Sequence, residues 1–456
     1  MNGFLSKERI TAGPGYNRWL IPPAALMVHL CIGQIYAFSV FKNPLVERFD
    51  TNLTPIGVIF SIGIVMLGLS AAVFGTWVER AGPRAAMFTA ALCWAGGFFI
   101  GALGVATTQL WLVYLGYGFL GGIGLGIGYI SPVSTLIKWF PDRPGMATGL
   151  AIMGFGGGAL IASPLSSVML QNFAANPIDA IVPAFLTLGT ADLISMLLGA
   201  FIVRVPEEGW RPEGWSPPTE SNARSMQTTA DVSANSAIRT PQFWMLWTIL
   251  FCNVTAGIGI LEQASPMIQD FFTGIEPAAA AGFVGLLSLA NMAGRIVWSS
   301  TSDYIGRKPT YMMYLGVGVV LYFILATVGA TSLVLFVLVN LVILSFYGGG
   351  FATIPAYLRD LFGTAQVGAI HGRLLTAWSA AGVAGPLIIN VIADSQTAAG
   401  FDGPQLYTLS LFIMVGVLVV GFVANLLVKP VDPKFHMGAK EEERKQARVS
   451  GRTAEA

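Results

Sequence analysis

The 456-residue chain is 54% hydrophobic and only 11% charged, with a formal net charge of +1. Soluble domains carry about 25% charged residues, so this composition excludes a water-soluble globular protein and fits an integral membrane protein. The near-neutral balance offers nothing to a nucleic acid, and Cys31, Cys93 and Cys252 lie in apolar runs without metal-ligand spacing, as small core residues do.

A bilayer span needs about 20 mostly apolar residues. Twelve such stretches are predicted, at 19–41, 54–77, 85–105, 109–131, 145–170, 180–203, 242–266, 278–300, 310–329, 332–355, 369–393 and 405–428. No signal-peptide pattern precedes the first, which is expected to act as its own insertion signal. The longest polar stretch between spans, 204–241, divides six from six. The predicted organisation is an N-terminal six-helix bundle (1–203), a cytoplasmic linker (204–241), a C-terminal six-helix bundle (242–430) and a charged tail (431–456). Arg80, Arg84, Lys138, Arg143, Arg307, Lys308, Arg359 and Arg373 share one side with the linker and tail, while the opposite loops hold only Lys42 and Arg48. The bias of Lys and Arg towards the cytoplasm then puts both termini on the cytoplasmic side of a cell (inner or plasma) membrane.

Ionised side chains inside spans are costly and mark function. Span 8 carries Arg295, with Ser288, Asn291 and Ser299 at helical spacing on the same face. Two readings stand: that face lines an aqueous cavity and Arg295 anchors an anion, or Arg295 is a buried arginine paired with a helix carbonyl or a distant carboxylate. Span 7 carries the other intramembrane charge, Glu262, between two glycines and Pro266. That pattern predicts a broken helix whose carboxyl faces either a cavity, as a proton carrier, or the outer mouth. His29 in span 1 is a second proton candidate or a packing residue. No metal cluster, nucleophile–base pair, cofactor motif or nucleotide loop appears, and the glycine runs 121–128 and 154–158 read as close helix contacts.

The halves repeat. GTWVERAGPR (75–84) after span 2 is echoed by STSDYIGRK (300–308) after span 8, so that Glu79 and Asp303, Gly82 and Gly306, Arg84 and Lys308 each differ by 224 positions. Pro164 and Pro386, like Tyr129 and Phe351, differ by 222. A recurring offset argues for a duplicated six-helix unit, a common build in secondary transporters.

These two turns resemble the signature loop of the major facilitator superfamily. The segments IGQIYAFSVFKNP (32–44), GGIGLGIGYISP (121–132), KWFPDRPGMATG (138–149), RTPQFWMLW (239–247) and NMAGRIVWSSTSDYIGR (291–307) are similar, in order, to its oxalate/formate antiporter family and to the monocarboxylate transporters. The resemblance implies an all-α membrane protein of twelve transmembrane helices in two pseudo-symmetric six-helix bundles. It implies a secondary transporter, not an enzyme, without cofactor, acting as a monomer on a small organic anion and a proton. It places substrate contacts at Arg295, Asn291, Tyr36, Tyr129, Tyr347 and Phe351. Glu79, Arg80, Arg84, Asp303, Arg307 and Lys308 become gating-loop residues that clamp helices together. The family's oxalate exchanger carries a second cation, a lysine, in span 11; along LLTAWSAAGVAGP (374–386), Trp378 takes that place. One cation beside an indole suits a monocarboxylate such as lactate, pyruvate, acetate or formate, because a second carboxylate without a counter-charge is disfavoured in a low dielectric. An oxalate/formate or other dicarboxylate exchanger is the alternative.

Overall fold

The computed structural model describes residues 4–437 apart from 14, 52, 217–225, 229 and 276. The predicted tail past 437 and the centre of the predicted linker lie outside the described residues, as does the Glu262 side chain. Helices follow one another where the twelve spans are predicted: α1 (Ile21–Gly33), α2 (Leu53–Ala81), α3 (Pro83–Ala106), α4 (Leu110–Trp139), α5 (Pro144–Asn172), α6 (Pro177–Ile202), α7 (Pro241–Phe271), α8 (Pro277–Ile305), α9 (Arg307–Val328), α10 (Leu333–Phe362), α11 (Val367–Ala398) and α12 (Gln405–Leu427).

Local chemistry sets many of the ends. Proline opens α3, α5, α6 and α7, where a missing N–H costs nothing. Asn176, Thr240 and Ser332 accept the first free N–H groups of α6, α7 and α10. Gly82 and Gly306 reverse the chain at φ 88° and 92°, which gives the duplicated turn the same backbone twice.

Eleven of these segments, among the described residues, are long and apolar enough to cross a bilayer. The remaining one is α8. It has the length, at 29 residues, but it buries Asn291, Arg295, Ser299 and Ser302. Its polar face is what lowers its hydropathy.

Two expectations about helix regularity are corrected. The predicted break in span 7 is absent: α7 runs as one helix through Pro266. Prolines also sit inside α4, α5, α6 and α10, as membrane helices permit when neighbouring groups satisfy the freed carbonyl. The first span is irregular, as is α4, which runs through a π-helical stretch at Tyr114–Leu120. Beyond Gly33 the chain tightens into a 3₁₀ stretch, Gln34–Phe41, before a short helix Lys42–Arg48. A second expectation, that Glu262 is the one intramembrane charge besides Arg295, also fails: Asp192 is buried within α6.

Packing repeats with the sequence. α1 lies on α5, α2 on α4 and α3 on α6; correspondingly α7 lies on α11, α8 on α10 and α9 on α12. Two seams join the halves, α5 with α8 and α2 with α11. Glycine makes the first so close that a Cβ at Gly149 would stand 2.6 Å from the Arg295 carbonyl oxygen. At Gly372 it would stand 2.1 Å from the Ala71 carbonyl oxygen, across the second seam.

Both seams are bolted at the end that carries the charged loops. Asp303 accepts the Gly145 and Met146 N–H groups at the start of α5, each at 2.9 Å. Glu79 accepts the Gly368 N–H at the start of α11, at 2.9 Å, together with Ser134 and Lys138. An anion at a helix N-terminus is stabilised by free N–H groups and the helix dipole. Asp303 is itself held by Arg307 at 2.6 Å, and Arg307 reaches Asp360 at 3.3 Å. The basic members of the duplicated turn work differently. Arg84 donates to the last carbonyls of α6 (Ala200 and Phe201), and Lys308 to Leu426 and Val428 at the end of α12. They fasten helices within one half. Arg80 is exposed and has no partner among the described residues.

Asp303→Asn keeps the shape but removes the charge from three contacts. The seam should weaken by about 2 kcal/mol. Thr148, buried between α5 and the Ala352 carbonyl, reports this: a cysteine at 148 should react with a maleimide at least about tenfold faster in the Asp303→Asn background. An unchanged rate would mean that Asp303 does not hold the seam.

Candidate functional site

Arg295 projects from the middle of α8 into the contact between halves and is 1% exposed. One Nη donates to the Ile152 carbonyl of α5 at 2.8 Å, and Nε to Asn291 Oδ1, one turn back, at 3.4 Å. The carbonyl pairing left open by the sequence therefore exists, and it crosses from one half to the other. It engages one edge of a planar, multi-donor fork. No carboxylate lies within ion-pair distance among the described residues.

Aromatic rings close around the guanidinium. Its central carbon is 5.9 Å from the Phe155 ring centre and 5.8 Å from that of Phe351, within range of a cation–π attraction. Trp378 packs on Phe351 (4.5 Å), Phe155 (5.6 Å) and Tyr129 (5.6 Å). Tyr347 leans on Phe351 at 5.2 Å and Tyr36 on Phe155 at 5.2 Å. The Tyr36 and Tyr347 hydroxyls meet, and the charge of Arg295 acts on them and on Tyr129. The residues expected to contact substrate — Arg295, Asn291, Tyr36, Tyr129, Tyr347, Phe351 and Trp378 — thus come together from α4, α8, α10 and α11 and the 3₁₀ stretch.

Polar atoms in this cage lack partners. The Tyr129 hydroxyl, the Trp378 indole N–H and both ring nitrogens of His371 are buried without a hydrogen bond among the described residues. Buried polar groups are almost always satisfied, so a cluster of orphans around a lone cation has the chemistry of a ligand site. His371 touches the Tyr129 ring at 5.9 Å. Of the proton candidates, His29 sits against the cage, 5.4 Å from Tyr129, with Nδ1 on the Ala151 carbonyl (2.8 Å) and Nε2 on the Tyr129 carbonyl (3.1 Å). A neutral imidazole can donate to one of these, a protonated one to both.

Sequence reasoning missed Phe155 and His371. The first was legible as the sole aromatic in the glycine run 154–158, and the second as a residue two turns before Trp378. The Ile152 carbonyl had no sequence signal.

The sequence pattern of the Major Facilitator Superfamily matches residues 24–386. The chain belongs to that superfamily. It is similar to the oxalate:formate antiporter of Oxalobacter formigenes, 27% identical over 427 residues, which cover 93% of this chain and 96% of that protein. Apicoplast pyruvate carrier 1 of Toxoplasma gondii is 25% identical over 56% of this chain and 55% of its own length. Monocarboxylate transporter 13 of Rattus norvegicus is 26% identical over 35% of this chain and 37% of its own. Among solved structures, the E. coli fucose:proton symporter superposes with a TM-score of 0.66 at 15% identity, covering 90% of this chain and 99% of that one. The human organic anion transporter MFSD10 does so with a TM-score of 0.61 at 14% identity, covering 90% and 98%. The fold is therefore the major facilitator fold, and the protein is a multi-pass membrane transporter of a small molecule.

Proposed function

We propose that this transporter carries a small monocarboxylate, of the size of lactate, pyruvate, acetate or formate, together with a proton. The observation that carries the reading is Arg295: one buried cation, no carboxylate partner among the described residues, and unsatisfied hydroxyl and indole donors beside it. A guanidinium takes a carboxylate through two parallel charge-assisted bonds. The rings supply an apolar wall for the carbon end. With Trp378 in place of a second cation, a dianion would bring one charge too many into the cage.

In this reading the halves, 1–203 and 242–430, rock about the site. Both termini and the bolted loops lie in the cytoplasm, so the structure corresponds to a state closed towards the cell interior. Glu262 on α7 and His29 on α1 are the proton candidates that the sequence offers. Oxalate/formate exchange is the second reading, favoured by the similarity to the Oxalobacter antiporter. Uptake of labelled lactate, pyruvate, acetate, formate and oxalate into proteoliposomes separates the two. The expected result is accumulation of monocarboxylates that rises with an inward proton gradient, and oxalate transport at least about tenfold poorer. Oxalate moving as well as lactate would favour exchange.

A further inference from the structure

Asp192 is a buried carboxyl that the substrate site does not use. It lies on α6, 8% exposed, inside the N-terminal half. The Trp94 indole N–H donates to its Oδ2 at 2.8 Å, and the Gln34 side-chain amide contacts the same oxygen. Of titratable groups, Cys31 of α1 and Tyr117 of α4 face it, and Ser195 of α6 lies beside Cys31. α3 contributes Trp94; α5 and the Lys42–Arg48 helix, which also pack on α6, bring no charged group to it among the described residues. Every donor in reach is neutral. A carboxylate held this way lacks the counter-charge that makes burial tolerable.

Its contact is mechanically placed. Gln34 is the residue at which α1 stops being an α-helix, and the 3₁₀ stretch Gln34–Phe41 is eight residues long, well beyond the usual three or four. Nothing in QIYAFSVF breaks a helix by itself: it holds neither proline nor glycine. Tyr36, two residues on, belongs to the aromatic cage. A 3₁₀ turn advances about 20° more per residue than an α turn. Releasing or tightening Gln34 therefore rotates Tyr36 relative to Arg295.

We propose that Asp192 is the proton-binding group of this transporter, and that its protonation reaches the substrate site through Gln34 and the 3₁₀ stretch. This rests on the reading of the protein as a proton-coupled carrier. Ionised, Asp192 accepts from Gln34 and Trp94. Neutral, it becomes a donor itself, and the Gln34 amide turns its oxygen towards it.

The test uses full-length protein in proteoliposomes, with labelled lactate as probe. Asp192→Asn should keep lactate counterflow at equal pH within about twofold of wild type and lose proton-driven accumulation by at least about tenfold; Asp192→Glu should regain accumulation. Accumulation by Asp192→Asn at the wild-type level overturns the proposal. So does loss of counterflow together with accumulation in both variants, which would make the carboxyl structural. A second readout needs no substrate. Tryptophan emission in detergent should show a pH transition that disappears both in Asp192→Asn and in Trp94→Phe; persistence of the transition in Asp192→Asn also overturns it. Wild-type protein that shows the transition but moves no lactate refutes the monocarboxylate reading and leaves the proton site standing.

Discussion

Arg295→Ala should abolish substrate-induced thermal stabilisation and lower carboxylate uptake by about a hundredfold, while insertion and the amount of protein in the membrane should stay at wild-type levels. The magnitude follows from losing charge-assisted hydrogen bonds of about 1.5–3 kcal/mol. The variant also loses the contact with the Ile152 carbonyl, so some loss of resting stability is expected. Arg295→Lys separates the two effects. It keeps the charge but not the planar fork, and it should restore resting stability while recovering only a small part of uptake. Uptake in Arg295→Ala near the wild-type rate would remove the anchor from the mechanism. The measurement is initial uptake rate beside a melting curve with and without lactate.

Trp378→Lys should invert selectivity. The indole is 1% exposed and packed on Phe351, Phe155 and Tyr129. A lysine there sits near Arg295 without a counter-anion, so the empty protein should melt at a lower temperature. A dianion supplies the missing charge. Oxalate should therefore raise the melting temperature of Trp378→Lys more than lactate does, and oxalate uptake should rise by at least about tenfold over wild type, with lactate uptake reduced. Equal stabilisation by the two anions would show that the tryptophan does not set charge selectivity.

Much of the site was legible because membrane interiors make polar residues conspicuous. Arg295 and Asn291 stand out against the apolar span that carries them, and the 224-residue offset aligned the two loops whose carboxylates hold the seams. The illegible parts depend on tertiary contact. Pro266 is a helix breaker in water and no signal in a bilayer, where α7 continues through it. The break in span 1 coincides with the contact between Gln34 and Asp192, 158 residues away, so no local rule could place it. Asp192 is a charge within span 6, but its neutral partners come from α1, α3 and the 3₁₀ stretch and carry no local signal. Arg84 and Lys308 were legible as a matched pair but not as fasteners within each half, because which helix end a loop cation faces follows from packing alone.

The two carboxylate bolts have a kinetic consequence. Asp303, from α8 to α5, and Glu79, from α2 to α11, make separate contacts on separate seams, so the proposed rocking would cross two barriers, one at a time. A carrier that rocks this way would pass through a half-released intermediate. Where release limits turnover, the slower of the two would set the maximal rate, and speeding the other alone would leave that rate unchanged.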